Sequence, residues 1–156
     1  MKKTLTTLLA ATTLLIGTTT QAAPGVPKGV EFLNTQKPTE KSYPISEAVK
    51  VGKIVYLSGR LGTDPATNKL AEGGITPEAK QAMENIKTWL EKHGYAMTNV
   101  VKCTIFLADS KELKDFNDVY KTYFTNLNFP ARSAVGVSGL ALNARVEVEC
   151  IAAVDK

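Results

Sequence analysis

The chain has 156 residues, 44% of them hydrophobic and 22% charged, with a formal charge of +4. That length suits one hydrophobic core, and nothing in it signals a second domain. Lysines and glutamates are interspersed, so no basic stripe is available to neutralise a row of phosphates, and nucleic acid is not an expected partner.

Lys2 and Lys3 open a positive segment, Leu5 to Thr18 is apolar and threonine-rich, and Thr20-Gln21-Ala22 puts small residues where a signal peptidase cuts. Residues 1–22 therefore read as a signal peptide, and export, to a periplasm, is expected. The apolar stretch is short and runs into Ala-Pro-Gly-Val-Pro, so no stable membrane anchor is expected. Residues 23–42 read as an N-terminal arm with one short apolar stretch at Val30 to Leu33, and the folded domain is expected over 43–156.

Ala48 to Val51, a turn at Gly52-Lys53, and Ile54 to Ser58 read as a hairpin that stops at Gly59. Residues 61–75 form a loop of a length often given to binding or lid roles. Thr76 is the expected cap of a helix with Pro77 in its first turn and Gly94 at its end, and Ala79, Ala82, Met83, Ile86 and Leu90 give it one apolar face. Core packing is the reading for Met83 and Trp89.

Val100 to Leu107 alternates as a strand. Asp109 and Glu112 have capping-box spacing ahead of a second helix carrying Leu113, Phe116, Tyr120 and Tyr123 and ending near Asn126. Strands over 132–137 and 145–154 close the chain. The order strand, strand, helix, strand, helix, strand, strand predicts an α+β fold: one sheet with both helices packed on one face.

In the last strand Glu147 and Glu149 point one way and Val146, Val148, Cys150 and Ala152 the other. The glutamates then lie on the helix-free face, with Val135, Val137 and Ser133 as candidates to share it and Arg132 at its rim. Three readings of that face stay open: a solvated surface, a subunit contact, or a contact in which an arginine holds an anion while a glutamate handles a proton. Cys103 and Cys150 sit in probable strands and read either as buried thiols or as a disulfide. His93 has no cysteine placed beside it for nucleophilic work.

Ile45-Ser46-Glu47-Ala48-Val49, Tyr56-Leu57-Ser58-Gly59, Thr76-Pro77, Val101-Lys102 with Phe106, Asn117-Asp118-Val119-Tyr120, and Phe129-Pro130-Ala131-Arg132-Ser133 followed by Val146-Glu147-Val148-Glu149 resemble the RidA family of reactive imine deaminases over about residues 42 to 154. The resemblance implies a chorismate-mutase-like fold with a mixed β-sheet, assembled as a homotrimer with clefts between subunits. It implies hydrolysis of 2-imino or enamine acids to 2-keto acids and ammonia, with a small 2-imino or 2-keto acid as the bound partner and neither metal nor organic cofactor. Arg132 would hold the substrate carboxylate and Glu147 would position water. Ser58, Gly59 and Arg60 would line the pocket, bordered by Asn117 and Tyr120. The alternative within this resemblance is a trimeric small-carboxylate-binding or protein-protecting protein without significant deamination.

Three positions depart from the family pattern. Ile45 stands where tyrosine is common, and Tyr43 would replace it only along an extended backbone; Arg60 stands where a glutamine is common; Ala134 replaces a frequent cysteine. Arg60 pointing outward is the favoured orientation, and one turned inward would add positive charge to the pocket.

Overall fold

The computed structural model describes residues 25–37, 39–40, 43–124 and 128–155. The expected signal peptide, residues 1–22, lies outside them. Seven strands form one sheet: β1 (Val30–Leu33), β2 (Ala48–Val51), β3 (Ile54–Leu57), β4 (Arg60–Leu61), β5 (Val100–Leu107), β6 (Ala131–Gly136) and β7 (Val146–Ala153). Their order is β1-β2-β3-β7-β5-β6, with β4 also paired to β7. Neighbours are antiparallel except β5 and β6, which run parallel and are joined through a helix. The sheet is therefore mixed.

Helices α1 (Ile75–Lys92) and α2 (Leu113–Tyr120) share one face of this sheet. Ala79, Ala82, Met83, Ile86 and Leu90 of α1 and Phe116 of α2 are fully buried against Val55, Cys103, Ile105, Val146 and Val148. Burying each large aliphatic side chain contributes about 1.5–3 kcal/mol, which is what holds the two layers together. Among the described residues no helix is long and apolar enough to cross a membrane.

Local chemistry moved several expected boundaries. The cap of α1 is Gly74 and not Thr76. Gly73 and Gly74 both take positive φ, which turns the chain straight into the helix and draws Ile75 into the core. At the other end Gly94 N–H donates to Glu91 O and Tyr95 N–H to Leu90 O, the pair of bonds that closes a Schellman motif. Asp109 does cap, its carboxylate accepting from Lys111 N–H at 2.9 Å. Glu112, however, forks onto Arg145 and does not reach back, so the chain enters α2 through a 3₁₀ turn, Ser110–Glu112. That helix ends at Tyr120, short of Asn126, and continues as a 3₁₀ turn, Lys121–Tyr123.

Two further differences bear on the site. The sheet does not stop at Gly59 but resumes as β4, whose residues Arg60 and Leu61 pair with Val148 and Glu147. The loop that follows is pinned by Asn85 of α1, whose amide donates to Leu61 O at 3.0 Å and Thr63 O at 2.8 Å. Within it Gly62 is buried so closely against the Glu78 backbone that a Cβ there would overlap it. Gly62→Ala is expected to cost about 1–3 kcal/mol in urea unfolding, because backbone on backbone cannot give way as a side-chain tip can.

Cys103 and Cys150 are directly opposed on β5 and β7 and form a disulfide in the core, which resolves the choice between thiols and a bond. His93 stacks on Trp89 with ring centroids 3.9 Å apart, and its Nδ1 lies 2.8 Å from Trp89 O.

Candidate functional site

The sheet register sorts the candidate residues onto two faces. On β6, Arg132 pairs with Cys103 and so faces the helix layer, while Ser133 and Val135 pair with Thr104 and Phe106 and face away. On β7, Glu147 and Glu149 pair with those same two residues and also face away. Arg132 and Glu147 therefore lie on opposite faces, with β5 between their strands. No side-chain rotation in one chain brings them together.

The first group gathers at Arg132. Its strand is an edge, exposed along all six residues, and the guanidinium lies 4.8 Å from the centroid of the Tyr120 ring. A cation over an aromatic face gains about 0.5–1 kcal/mol at an exposed site, enough to bias the orientation of the arginine. Asn117 and Tyr120 stand three apart on α2 and share a side of it. Asn117 Oδ1 and the Tyr120 hydroxyl are both buried without a hydrogen-bond partner among the described residues. Burial pushes the Tyr120 phenol up to about 12, against the pull of Arg132. Among the described residues Arg132 has no carboxylate within ion-pair distance.

The second group gathers at Glu147. Its carboxylate lies so close over Gly59 that a Cβ there would overlap Oε1, so a larger residue at 59 would displace the Glu147 carboxylate from this position. Burial pushes the Glu147 carboxyl above its ordinary pKa, and the Glu149 charge adds to the shift. Ser58 closes the turn beside Gly59: its hydroxyl donates to Ser46 O at 2.7 Å and its N–H to Glu47 O at 3.1 Å.

Arg60 belongs to neither group. Pairing with buried Val148 aims it into the helix layer, away from the face that carries Glu147. The favoured outward orientation is therefore corrected: the side chain turns inward, on the face opposite Glu147. Its guanidinium lies 3.8 Å from Glu47, and Nε and Nη2 are buried without hydrogen-bond partners among the described residues. Burial lowers its pKa and Glu47 opposes that. Nor does Tyr43 extend toward the place of Ile45. Ile45 N–H donates to Tyr43 O at 2.8 Å, a three-residue turn about Pro44, and both side chains are exposed.

Sequence reasoning missed Glu47. It accepts from Thr35 Oγ1 at 2.6 Å and from Trp89 Nε1 at 2.7 Å, and its own N–H donates to Asn34 Oδ1 at 2.9 Å. The carboxylate thus ties the arm to α1, while the backbone carbonyl of the same residue holds the Ser58-Gly59 turn. The signal was Trp89, whose indole N–H needs an acceptor wherever the ring is buried. Burial alone would raise the Glu47 pKa, but the Thr35 and Trp89 hydrogen bonds, helped by Arg60, bring it below the ordinary value. A carboxylate depressed in this way adds stability above its unfolded pKa and loses it as pH falls through the folded one. Urea unfolding of wild type should weaken over that acid range, and Glu47→Gln should flatten this part of the dependence. Glu78 was also missed, although its spacing from Ile75, Ala79 and Ala82 places it on the buried side of α1, where it accepts from Arg145 N–H at 2.8 Å.

These features define a class: an α+β protein with one mixed sheet, helices on one face, a cation on the bare edge strand and two carboxylates on the bare face. The family model described as endoribonuclease L-PSP matches residues 35–154. A 2-iminobutanoate/2-iminopropanoate deaminase of Bos taurus is 46% identical over 122 residues, covering 78% of this chain and 88% of that protein. The Homo sapiens protein of the same name is 42% identical over 120 residues, 77% of this chain and 87% of its own length. The crystal structure of RidA from the Antarctic bacterium Psychrobacter sp. superposes with a TM-score of 0.71 at 37% identity, covering 80% of this chain and 99% of that one. The chain belongs to this RidA/YjgF-like family.

Proposed function

We propose that this protein hydrolyses reactive 2-imino acids to 2-keto acids and ammonia, a reading supported by its mammalian relatives, which are named 2-iminobutanoate/2-iminopropanoate deaminases. The observation that carries the reading is Arg132: among the described residues it has no carboxylate partner, and it is held over Tyr120 beside two buried oxygens that find no hydrogen-bond partner among those residues. Its planar fork accepts both oxygens of a substrate carboxylate. Asn117 and Tyr120 border that contact.

A protonated 2-imino acid already carries an electrophilic carbon, so orientation and proton handling suffice for catalysis. Water adds to C2 while Glu147 takes its proton, and the C=N π pair moves to nitrogen. Glu147 returns the proton to the amine of the resulting carbinolamine. The C–N bond then breaks as the ionised Glu147 takes the hydroxyl proton, so the hydroxyl becomes the keto oxygen and the departing ammonia carries that proton away as ammonium. Ser58 and Gly59 line the approach to Glu147.

We further propose that the site is completed between copies in a homotrimer of chorismate-mutase-like subunits, with sheets inward and helices outward. The opposite facing of Arg132 and Glu147 supports this, as do the exposed β6 edge and the exposed Tyr56 and Val135 on the helix-free face. Export to a periplasm after removal of residues 1–22 accords with the Cys103–Cys150 bond, since disulfides persist in oxidising compartments. In this reading residues 43–156 make the domain and 23–42 its arm. The family description speaks of an endoribonuclease, but the dispersed charges of this chain give RNA no track to follow.

Purified mature protein added to an amino-acid oxidase with semicarbazide present should suppress semicarbazone formation. Unchanged trapping at stoichiometric protein defeats the proposal. Retained 2-keto acid binding without hydrolysis above buffer would instead mark a small-carboxylate-binding trimer.

A further inference from the structure

Ser58 and Gly59 interrupt the sheet between β3 and β4, and Glu147 rests its carboxylate on the second of them. A carboxylate seated on bare backbone is placed only as well as that backbone is. The break is fastened on both sides. Ser58 donates from its hydroxyl to Ser46 O at 2.7 Å and from its N–H to Glu47 O at 3.1 Å. Beyond it, Leu61 O and Thr63 O accept from the Asn85 amide at 3.0 and 2.8 Å. Between these fastenings stand Gly59, which has no side chain, and Arg60, whose next residue, Leu61, pairs with Glu147 itself.

The Arg60 side chain runs to the helix layer, where its Nη2 lies 3.8 Å from Glu47 Oε2. That oxygen also accepts from the indole of buried Trp89, and Oε1 accepts from Thr35, so the carboxylate that meets Arg60 is itself fixed. Arginine keeps its charge in a fold, and a cation shielded from water is favourable only beside a counter-charge. Nε and Nη2 of Arg60 are buried within one chain, so copies added on the helix-free face would not reach them.

We propose that Arg60 is a positioning residue for Glu147: anchored by Glu47 under the sheet, it holds the Ser58-Gly59 break at the height on which the Glu147 carboxylate rests from the other side. The inference rests on the reading of Glu147 as the group that activates water. It separates two kinetic effects. Arg132 grips the substrate carboxylate from another strand and sets KM, whereas a shifted Gly59 moves only the group that handles the proton and so lowers kcat.

The test is steady-state kinetics of the full mature protein in the oxidase-coupled assay, read on samples whose near-ultraviolet circular dichroism matches wild type. Arg60→Met keeps the length of the side chain and removes its charge. It should lower kcat by about 5- to 50-fold, the scale of a sub-ångström to ångström misplacement, with KM nearly unchanged. Arg60→Lys, which keeps the charge without the fork, should fall between Arg60→Met and wild type. Glu47→Gln leaves the guanidinium without its counter-charge and should also slow turnover. Glu47→Gln combined with Arg60→Gln replaces the ion pair by two amides that can bond each other, and should be faster than Glu47→Gln alone, a non-additivity that independent structural defects would not give. Wild-type kcat in Arg60→Met, with Glu147→Gln inactive, overturns the role of Arg60 and leaves that of Glu147 standing. A KM that rises as steeply as kcat falls, or simple additivity in the double variant, overturns it too. Full activity in Glu147→Gln overturns both.

Discussion

Arg132→Ala should lower kcat/KM for a 2-imino acid by about 10- to 150-fold, chiefly through KM, while the size and urea midpoint of the protein stay unchanged. The magnitude follows from a charge-assisted bidentate contact worth about 1.5–3 kcal/mol. The side chain sits on an exposed edge strand and packs on one ring, so its removal opens no core cavity. Arg132→Lys should recover only part of the loss, because an ammonium keeps the charge but not the planar fork. The semicarbazide-coupled assay reads both variants, and light scattering checks the assembly. Wild-type kcat/KM in Arg132→Ala would remove the carboxylate anchor from the mechanism.

The second large effect concerns stability. Replacing Cys103 and Cys150 together with alanine, or reducing the bond, should cost about 2–4 kcal/mol, because a cross-link across 47 residues restricts the unfolded chain. Both cysteines are essentially inaccessible, at 0% and 2% exposure, so a thiol reductant reaches the bond only when the fold opens. Reduction under native conditions should therefore be slow and should accelerate steeply in mild denaturant. Urea unfolding with and without reductant measures the difference. Coincident midpoints, with two titratable thiols in the native protein, would refute the stabilising role.

The disulfide and the two groups of site residues show why the sequence could be read only so far. Alternation along Val146 to Ala153 assigned Glu147 and Glu149 correctly to the helix-free face, because period-two geometry is local. The same reasoning left Arg132 at a rim, and no alternation pattern decided between an inward and the favoured outward Arg60. Both orientations depend on which residue pairs across the strand gap: Cys103 for Arg132, Val148 for Arg60. A register shift of one residue reverses a side chain, and register is set by the whole sheet. Glu47 escaped notice for a related reason. Its partners Thr35, Trp89 and Arg60 come from the arm, a helix and a strand that folding alone brings together.

What the sequence determined by itself was whatever repeats within a few residues: the hairpin, the apolar face of α1, the strand over Val100–Leu107 and the α+β order of elements. The Phe-Pro-Ala-Arg-Ser and Val-Glu-Val-Glu segments also carried the family. The tertiary structure alone decided that β5 and β6 run parallel, that Cys103 meets Cys150, and that Arg132 and Glu147 stand on opposite sides of one sheet. Local periodicity depends on backbone geometry that every short segment carries with it, whereas pairing partners are chosen by the burial of the whole core, and no segment contains that information alone.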